Sequence, residues 1–350
     1  MRRLFTIFLL IFSHFAKAQD PQYSQYYSTP LLLNPALAGE TDCYRVGFNA
    51  RNQWSRLPGG AFNTASVFVD FNSPALRSGF GVLALHDEIG TPRMSSNELS
   101  GYYSFLASVS DQLNFRMGLQ GTFVSRGLDY SRLVFEDQFS GIQVAKPTTG
   151  DEVRNFANKK YGDFSSGVVM FGEDSYWLGF SAHHLLKPEQ GFYKESKLPI
   201  KYSLHGGYSF NLKAKGKKKS AGDVMNIIPT FMYKSQGKFD QLDLGLYIIQ
   251  SPLLLGVWYR GVVVKNDFRV YNQDAVNVQA GVLVNKLTVT YSYDFTISRL
   301  SNTNTKGSHE LSLIYQFCSD WPPRKKTPSR KIRRLPCPDF QRSLKYKGTF

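Results

Sequence analysis

The side chains with the most obvious chemistry are few and scattered. Histidine occurs at His14, His86, His183, His184, His205 and His309, and none stands at metal-ligand spacing from a second ligand type. His183 and His184 are neighbours in one alternating run, so their rings are expected on opposite faces, where they cannot share a metal. No GxSxG, phosphate loop, HExxH or calcium loop is present. Glu136-Asp137 is a carboxylate pair in a long polar stretch, where solvated charge explains it better than acid–base work. No catalytic, cofactor-binding or metal-binding site is expected, and the chain reads as a non-enzyme.

Cysteine adds little. Three residues, Cys43, Cys318 and Cys337, are too few for a disulfide scaffold in an exported chain. A Cys43–Cys318 bridge would join the first and last alternating runs, and a Cys318–Cys337 bridge would close the tail. Three unpaired thiols is the third reading, and sequence leaves all three open.

The elements that must position any functional residue are strands. From Cys43 to Phe317, about fourteen short runs alternate apolar with small or polar residues. Phe115, Met117, Leu119, Gly121 and Phe123 interleave with Asn114, Arg116, Gly118, Gln120 and Thr122. The runs are placed near 43–54, 62–72, 79–87, 97–108, 113–125, 163–171, 177–186, 200–212, 224–234, 240–250, 253–262, 275–285, 287–296 and 308–317. Most are about nine to twelve residues long, enough to cross a bilayer at a tilt.

Connector lengths alternate as well. Asn72-Ser73-Pro74, Ser110-Asp111-Gln112, Gly172-Glu173-Asp174, Ser251-Pro252 and Asn285-Lys286 are tight, whereas the intervening loops are mostly longer. Short turns on one rim and long loops on the other predict an all-β, antiparallel transmembrane β-barrel rather than a soluble sandwich. An even strand number puts both termini on the short-turn, periplasmic rim. With 20 Tyr and 27 Phe, the chain can supply aromatic girdles, with Tyr102-Tyr103, Trp177, Tyr291, Tyr293 and Phe317 near strand ends. The last run ends on Phe317, the form expected of a closing strand in an outer-membrane barrel.

The ends of the chain complete the organisation. Arg2-Arg3, the apolar run Leu4 to Phe12 and Ala16-Lys17-Ala18 read as a signal peptide over 1–18, cleaved before Gln19. Residues 19–42 form an extended or turn-rich lead-in interrupted by Pro30 and Pro35, whose apolar density requires a packing partner. The barrel spans 43–317, and 318–350 is a basic, Pro-rich periplasmic tail. The formal charge of +15 is concentrated in that tail and in Lys213, Lys215, Lys217, Lys218 and Lys219. In an exported protein these clusters do not indicate nucleic acid, and solvated charge is the simplest account of the Lys-rich turn. On the wet faces, Arg45, Arg51 and Arg116 are expected to pack against carboxylates such as Asp70, Asp243 and Asp294. Tuning a pore or fixing an internal plug is the alternative.

The mature start Gln19-Asp20-Pro21-Gln22-Tyr23-Ser24-Gln25-Tyr26, then Leu33-Asn34-Pro35-Ala36 and Ala38-Gly39, resembles the PorP/SprF family, and Arg51-Asn52-Gln53-Trp54 matches that family's motif at the right distance. The resemblance reaches to about Phe317. It implies an outer-membrane barrel of Bacteroidota that serves type IX secretion and gliding motility. The implied partners are outer-membrane lipid, a secreted adhesin with a C-terminal secretion signal, and periplasmic ring and translocon proteins. The family carries no agreed catalytic residues. The motif residues are Leu33, Asn34, Pro35, Ala36, Gly39, Arg51, Asn52, Gln53 and Trp54. On this reading the Lys213–Lys219 turn and Arg324, Lys325, Lys326, Arg330, Lys331, Arg333 and Arg334 form a basic rim that docks on periplasmic machinery or an anionic surface. The alternative function is an outer-membrane porin or substrate-specific diffusion channel.

Overall fold

The computed structural model describes residues 20–41, 44–56, 61–90, 94–110, 113–129, 138–140, 143–144, 158–172, 175–192, 196–213, 224–261, 273–298 and 305–317. The signal peptide, Cys43, Cys318, Cys337, Glu136-Asp137, Lys215, Lys217, Lys218, Lys219 and the basic tail lie outside the described residues.

Period-two patterning produces a closed wall. Its strands are β1 Tyr44–Gln53, β2 Phe62–Ser73, β3 Ser78–Ile89, β4 Met94–Ser108 and β5 Asn114–Gly127. The short strands β6 Phe139–Ser140 and β7 Gln143–Val144 pair only with each other, in the longest loop. The wall resumes with β8 Lys159–Gly172, β9 Tyr176–His183, β10 Lys201–Tyr208 and β11 Phe210–Lys213. It ends with β12 Val224–Gln236, β13 Phe239–Gln250, β14 Leu253–Gly261, β15 Gln273–Val284, β16 Leu287–Thr296 and β17 Ser308–Phe317. β10 and β11 both pair with β12 and count as one wall strand, and β1 pairs with β17, so the described wall is a closed 14-stranded antiparallel barrel.

The burial pattern separates a barrel from a sandwich. Outward side chains are apolar and uncovered: Val67 is 46% exposed and Leu119 47%. Inward ones are polar and buried, among them Asn49, Asp70, Ser104, Ser292 and Glu310. A sandwich buries its apolar faces against each other; this wall turns them out, as a lipid solvent requires.

Tyr44 pairs with Phe317, and the tight turns after β2, β8, β13 and β15 share their rim. On that rim the outward rings of Phe317, Tyr44, Phe71, Phe80 and Tyr103 form a continuous ladder, with centroids 5.2–5.5 Å apart on neighbouring strands. This is an aromatic girdle, although two residues expected in it are absent. Tyr102 and Trp177 are buried inside the barrel, because each stands one residue out of phase with the outward face.

Candidate functional site: the plugged lumen

Residues 20–41 fill much of the barrel interior. The segment has two short 3-10 turns, Tyr26–Ser28 and Pro35–Leu37, around a single helical turn, α1 Pro30–Leu33. Pro30 and Pro35 stand at helix-start positions, where a missing N–H costs nothing. Between its prolines the segment cannot extend into a fifteenth strand, so its backbone groups look to the wall for partners.

The motif residues supply several of those contacts. Asn34 is extended and accepts the Ala36 N–H at 2.9 Å, starting the second 3-10 turn. Its Nδ2 donates to the Phe180 and Val168 carbonyls at 3.1 and 3.3 Å, and lies 3.2 Å from His205 Nε2. Ser181 and Ser104 hydroxyls donate to the Leu33 and Ala38 carbonyls at 3.1 and 2.7 Å. Gly118 and Gly167 permit this closeness: a Cβ on Gly118 would lie 2.2 Å from Ala36 N, and one on Gly167 2.1 Å from Asn34 Oδ1. Gly39 adopts φ +60° and ends the plug against Phe71 O and Gly79, where a side chain would be both strained and blocked.

Arg51 organises the opposite side. It donates to Glu310 at 2.9 Å, Asp294 at 2.8 Å and Ser24 Oγ at 2.6 Å. Glu310 in turn accepts the Ser24 and Gln25 backbone N–H groups at 2.7 and 3.0 Å. Arg260 donates to Asp243 at 3.2 Å, to Asp294 at 3.4 Å and to Ser24 Oγ at 2.8 Å, and Tyr26 OH donates to Asp243. Arg45 pairs with Asp70 and Glu40 at 2.8 and 2.6 Å, while Asp70 accepts the Gly39 N–H at 2.7 Å. The arginines therefore pair with wall carboxylates and fix a plug through the same groups, so the two readings drawn from sequence are one arrangement. Arg116 instead donates to Ser104 Oγ at 3.0 Å. Desolvating these charges is expensive, and such networks set a unique register more than they add stability.

Apolar contacts finish the seal. Tyr26 stacks edge-on to Trp258, and Tyr27 to Trp177 and Tyr247, with centroids 5.3, 5.8 and 6.1 Å apart. Asn52, Gln53 and Trp54 lie near the long-loop rim. Asn52 donates to Asn63 on the outside, Gln53 accepts from Arg51, and Trp54 packs edge-on against Phe62. Of the motif, then, Leu33 to Gly39 and Arg51 meet at the plug and Asn52 to Trp54 do not. Lys213, the last residue of β11, is at the short-turn rim.

Sequence reading missed Arg260, Glu310, Ser24 and Gln25, which meet one another across more than 200 residues. It also misplaced His184. β9 ends at His183, and His184 takes φ +61°, which brings both rings to the lumen side 6.4 Å apart. His184 bridges Asp20 at 2.8 Å and Asp163 at 2.6 Å, and Lys201 reaches Asp20 at 2.6 Å. Burial would raise the Asp20 carboxyl, but Lys201 and His184 hold it well below its usual range. Burial would lower the His184 imidazole, yet Asp20 and Asp163 push it up to about 9. Asp20 thus sits at the long-loop rim and Gly39 near the other, so the plug crosses the lumen. The expectation that both termini share one rim applies to the ends of the wall and not to residue 20.

No curated protein matches the sequence. Among solved structures, the barrel is similar to the Ralstonia pickettii toluene transporter TbuX (TM-score 0.47, 9% identity, 83% of this chain and 93% of that one). It is also similar to the Acinetobacter baumannii outer membrane protein Omp33 (TM-score 0.43, 8% identity, 80% and 100%) and a Pseudomonas aeruginosa FadL homologue (TM-score 0.41, 13% identity, 81% and 93%). The family described as type IX secretion system membrane protein PorP/SprF matches residues 15–315, a span that holds the plug, its wall partners and all but the last two residues of the closing strand. The chain belongs to the PorP/SprF family of type IX secretion system membrane proteins.

Proposed function

We propose that this outer-membrane secretion component is a non-enzymatic adaptor, exported by a cleaved signal peptide. It supports export or surface anchoring of a partner adhesin and couples that partner to the periplasmic secretion and gliding machinery. The observation that carries this reading is the filled lumen. Residues 24–39 occupy the interior and are held by buried arginine–carboxylate groups, which suits a protein that holds partners at its rims. The same filling argues against a diffusion channel, since solutes would have to displace a segment whose charges are paired inside.

On this reading the short-turn rim faces the periplasm, and the Lys213–Lys219 turn and the tail from Arg324 to Arg334 dock there by charge, in a salt-sensitive way. The full chain, tagged and extracted in mild detergent, is expected to co-purify a surface adhesin and periplasmic ring components, and deletion of 319–350 should lower recovery of the ring components. In planar bilayers the full chain should show no steady open-pore current. Steady currents, or unchanged ring recovery without the tail, would overturn the respective half of the proposal.

A further inference from the structure

The lipid-facing side of the wall is uneven. A groove of about 480 Å³ runs over the outside of β2–β5, with apolar side chains along both of its edges. Local sequence makes it. Every second residue of a membrane strand turns its side chain to lipid. At Gly101 on β4 and Gly121 on β5 that side chain is missing, and the two glycines pair directly with each other. Nothing lies within 4 Å of where either Cβ would stand, so the neighbours do not close over the gap. Those neighbours are bulky: Tyr103 pairs with Leu119 one outward step toward the short-turn rim, and Leu99 pairs with Phe123 one step the other way.

Register gives the groove a direction. It passes between the row Val69, Val82, Gly101, Gly121 and the row Phe71, Phe80, Tyr103, Leu119, crossing four strands. Three interstrand spacings of ~4.8 Å make it about 14 Å long. Phe71 and Phe80 stand two residues from the strand ends at the β2–β3 turn, whereas Tyr103 and Leu119 stand five residues from theirs. One end therefore opens at the aromatic girdle, and the glycine end lies deeper in the apolar band.

The girdle end carries a charge. Arg77 is exposed in the β2–β3 turn, and its carbonyl accepts the Leu106 N–H at 2.8 Å, which fixes the base of its side chain against β4. Arg77 forms no ion pair among the described residues. Beside it, Ser78 Oγ and Tyr103 OH lie 3.2 Å apart, so the ring that edges the groove turns its polar tip toward the same rim.

We propose that this groove holds one acyl chain of a glycerophospholipid whose phosphate is bound by Arg77. A gap in a lipid-facing wall forfeits dispersion contacts until a chain fills it. A single side chain from a partner protein would fill the space over the glycines but not a trough about 14 Å long, and it would leave Arg77 unmatched. A hydrocarbon chain follows the whole trough, and a phosphate at its girdle end gives the guanidinium a bidentate partner. The inference rests on the lipid-facing wall and is independent of any adhesin or ring partner.

Native mass spectrometry of the full chain, delipidated in detergent and titrated with defined lipids, tests it. Palmitoyl-oleoyl phosphatidylglycerol should give one adduct that saturates ahead of all others. Palmitoyl-oleoyl glycerol, with the same chains and no phosphate, should bind at least about ten-fold more weakly. Gly101→Leu combined with Gly121→Leu puts side chains where the wall has room for them and should weaken phosphatidylglycerol by at least about ten-fold. Arg77→Gln should abolish the preference over palmitoyl-oleoyl glycerol. Ala280→Leu, an exposed position on β15, should change nothing. Equal binding of the two lipids by the unaltered chain, or unchanged binding in the double glycine variant, would overturn the proposal. So would recovery of lipid A or a second protein chain, in place of a phospholipid, on the chain extracted from native membranes. Should the double variant fail to fold by heat-modifiable gel mobility, the two lipids on the unaltered and Arg77→Gln chains decide.

Discussion

Between Ser24 and Gly39 the plug lies directly against the wall, and the two exchange a dense set of hydrogen bonds. Between Asp20 and the β4–β5 wall the same lumen keeps a cavity of about 140 Å³. Both regions draw on the same residue types and the same inward-facing strand positions. They differ in how closely the plug backbone approaches the wall. Around Asn34 and Ala36, wall glycines let the plug backbone touch the wall, and Asn34 bonds the Val168 and Phe180 carbonyls directly. At Asp20 the approach is made by long side chains, Lys201 and His184, which bridge a gap and leave space beside it. Close approach makes a seal, whereas side-chain bridging makes a latch with a cavity behind it.

The comparison can be broken most severely on the sealed side. Arg51→Ala leaves Glu310 with no arginine and Asp294 with only Arg260, and should cost ~3–5 kcal/mol in barrel stability. Urea unfolding from lipid vesicles measures it. Arg51→Lys should recover part of this, since a point charge cannot serve Ser24, Asp294 and Glu310 together. Gly118→Val should cost about 1–3 kcal/mol, because the plug backbone has no room to yield, and should let intermittent current through planar bilayers. Asn34→Ala removes a turn cap and two wall contacts for about 1–3 kcal/mol, read by the same unfolding assay.

The latch should respond least, and to pH. His184 is raised from 6.5 to about 9, so its contribution is complete below pH 6.5 and is lost as pH rises through about 9. Asp20 is lowered, so its contribution holds above 3.8 and is lost only in stronger acid. Unfolding midpoints should therefore fall modestly from pH 6.5 to 9.5, and His184→Gln should flatten that slope. Asp20→Asn should cost less than Arg51→Ala at neutral pH, because Asp20, His184 and Lys201 keep partial access to water. A larger loss would mean that the latch carries the seal.

Strand positions were legible because side chains alternate locally, and β2, β16 and β17 lie within a residue of their expected bounds. The departures have local causes. β8 begins at Lys159 rather than near 163, since Lys159 and Lys160 pair with Arg126 and Ser125 beyond the apolar part of the wall, where alternation gives no signal. β9 stops at His183 because the next residue turns to positive φ. The aromatic girdle was legible as a composition but not as a membership, since one step of phase sends Tyr102 and Trp177 inside.

The chain's own order of residues pointed to the barrel through period two and short turns alternating with longer loops, while the outward turn of the apolar faces was a matter of the tertiary structure. The same order marked residues 19–42 as too apolar to stay in water. Only the tertiary structure decided where that segment goes and what meets it. Ser24 finds Glu310, Tyr26 finds Asp243 and Asn34 finds Phe180 across separations of 146 to 286 residues. Contacts of that kind leave no periodicity behind, because the spacing between partners is set by closure of the barrel and not by the local geometry of either strand.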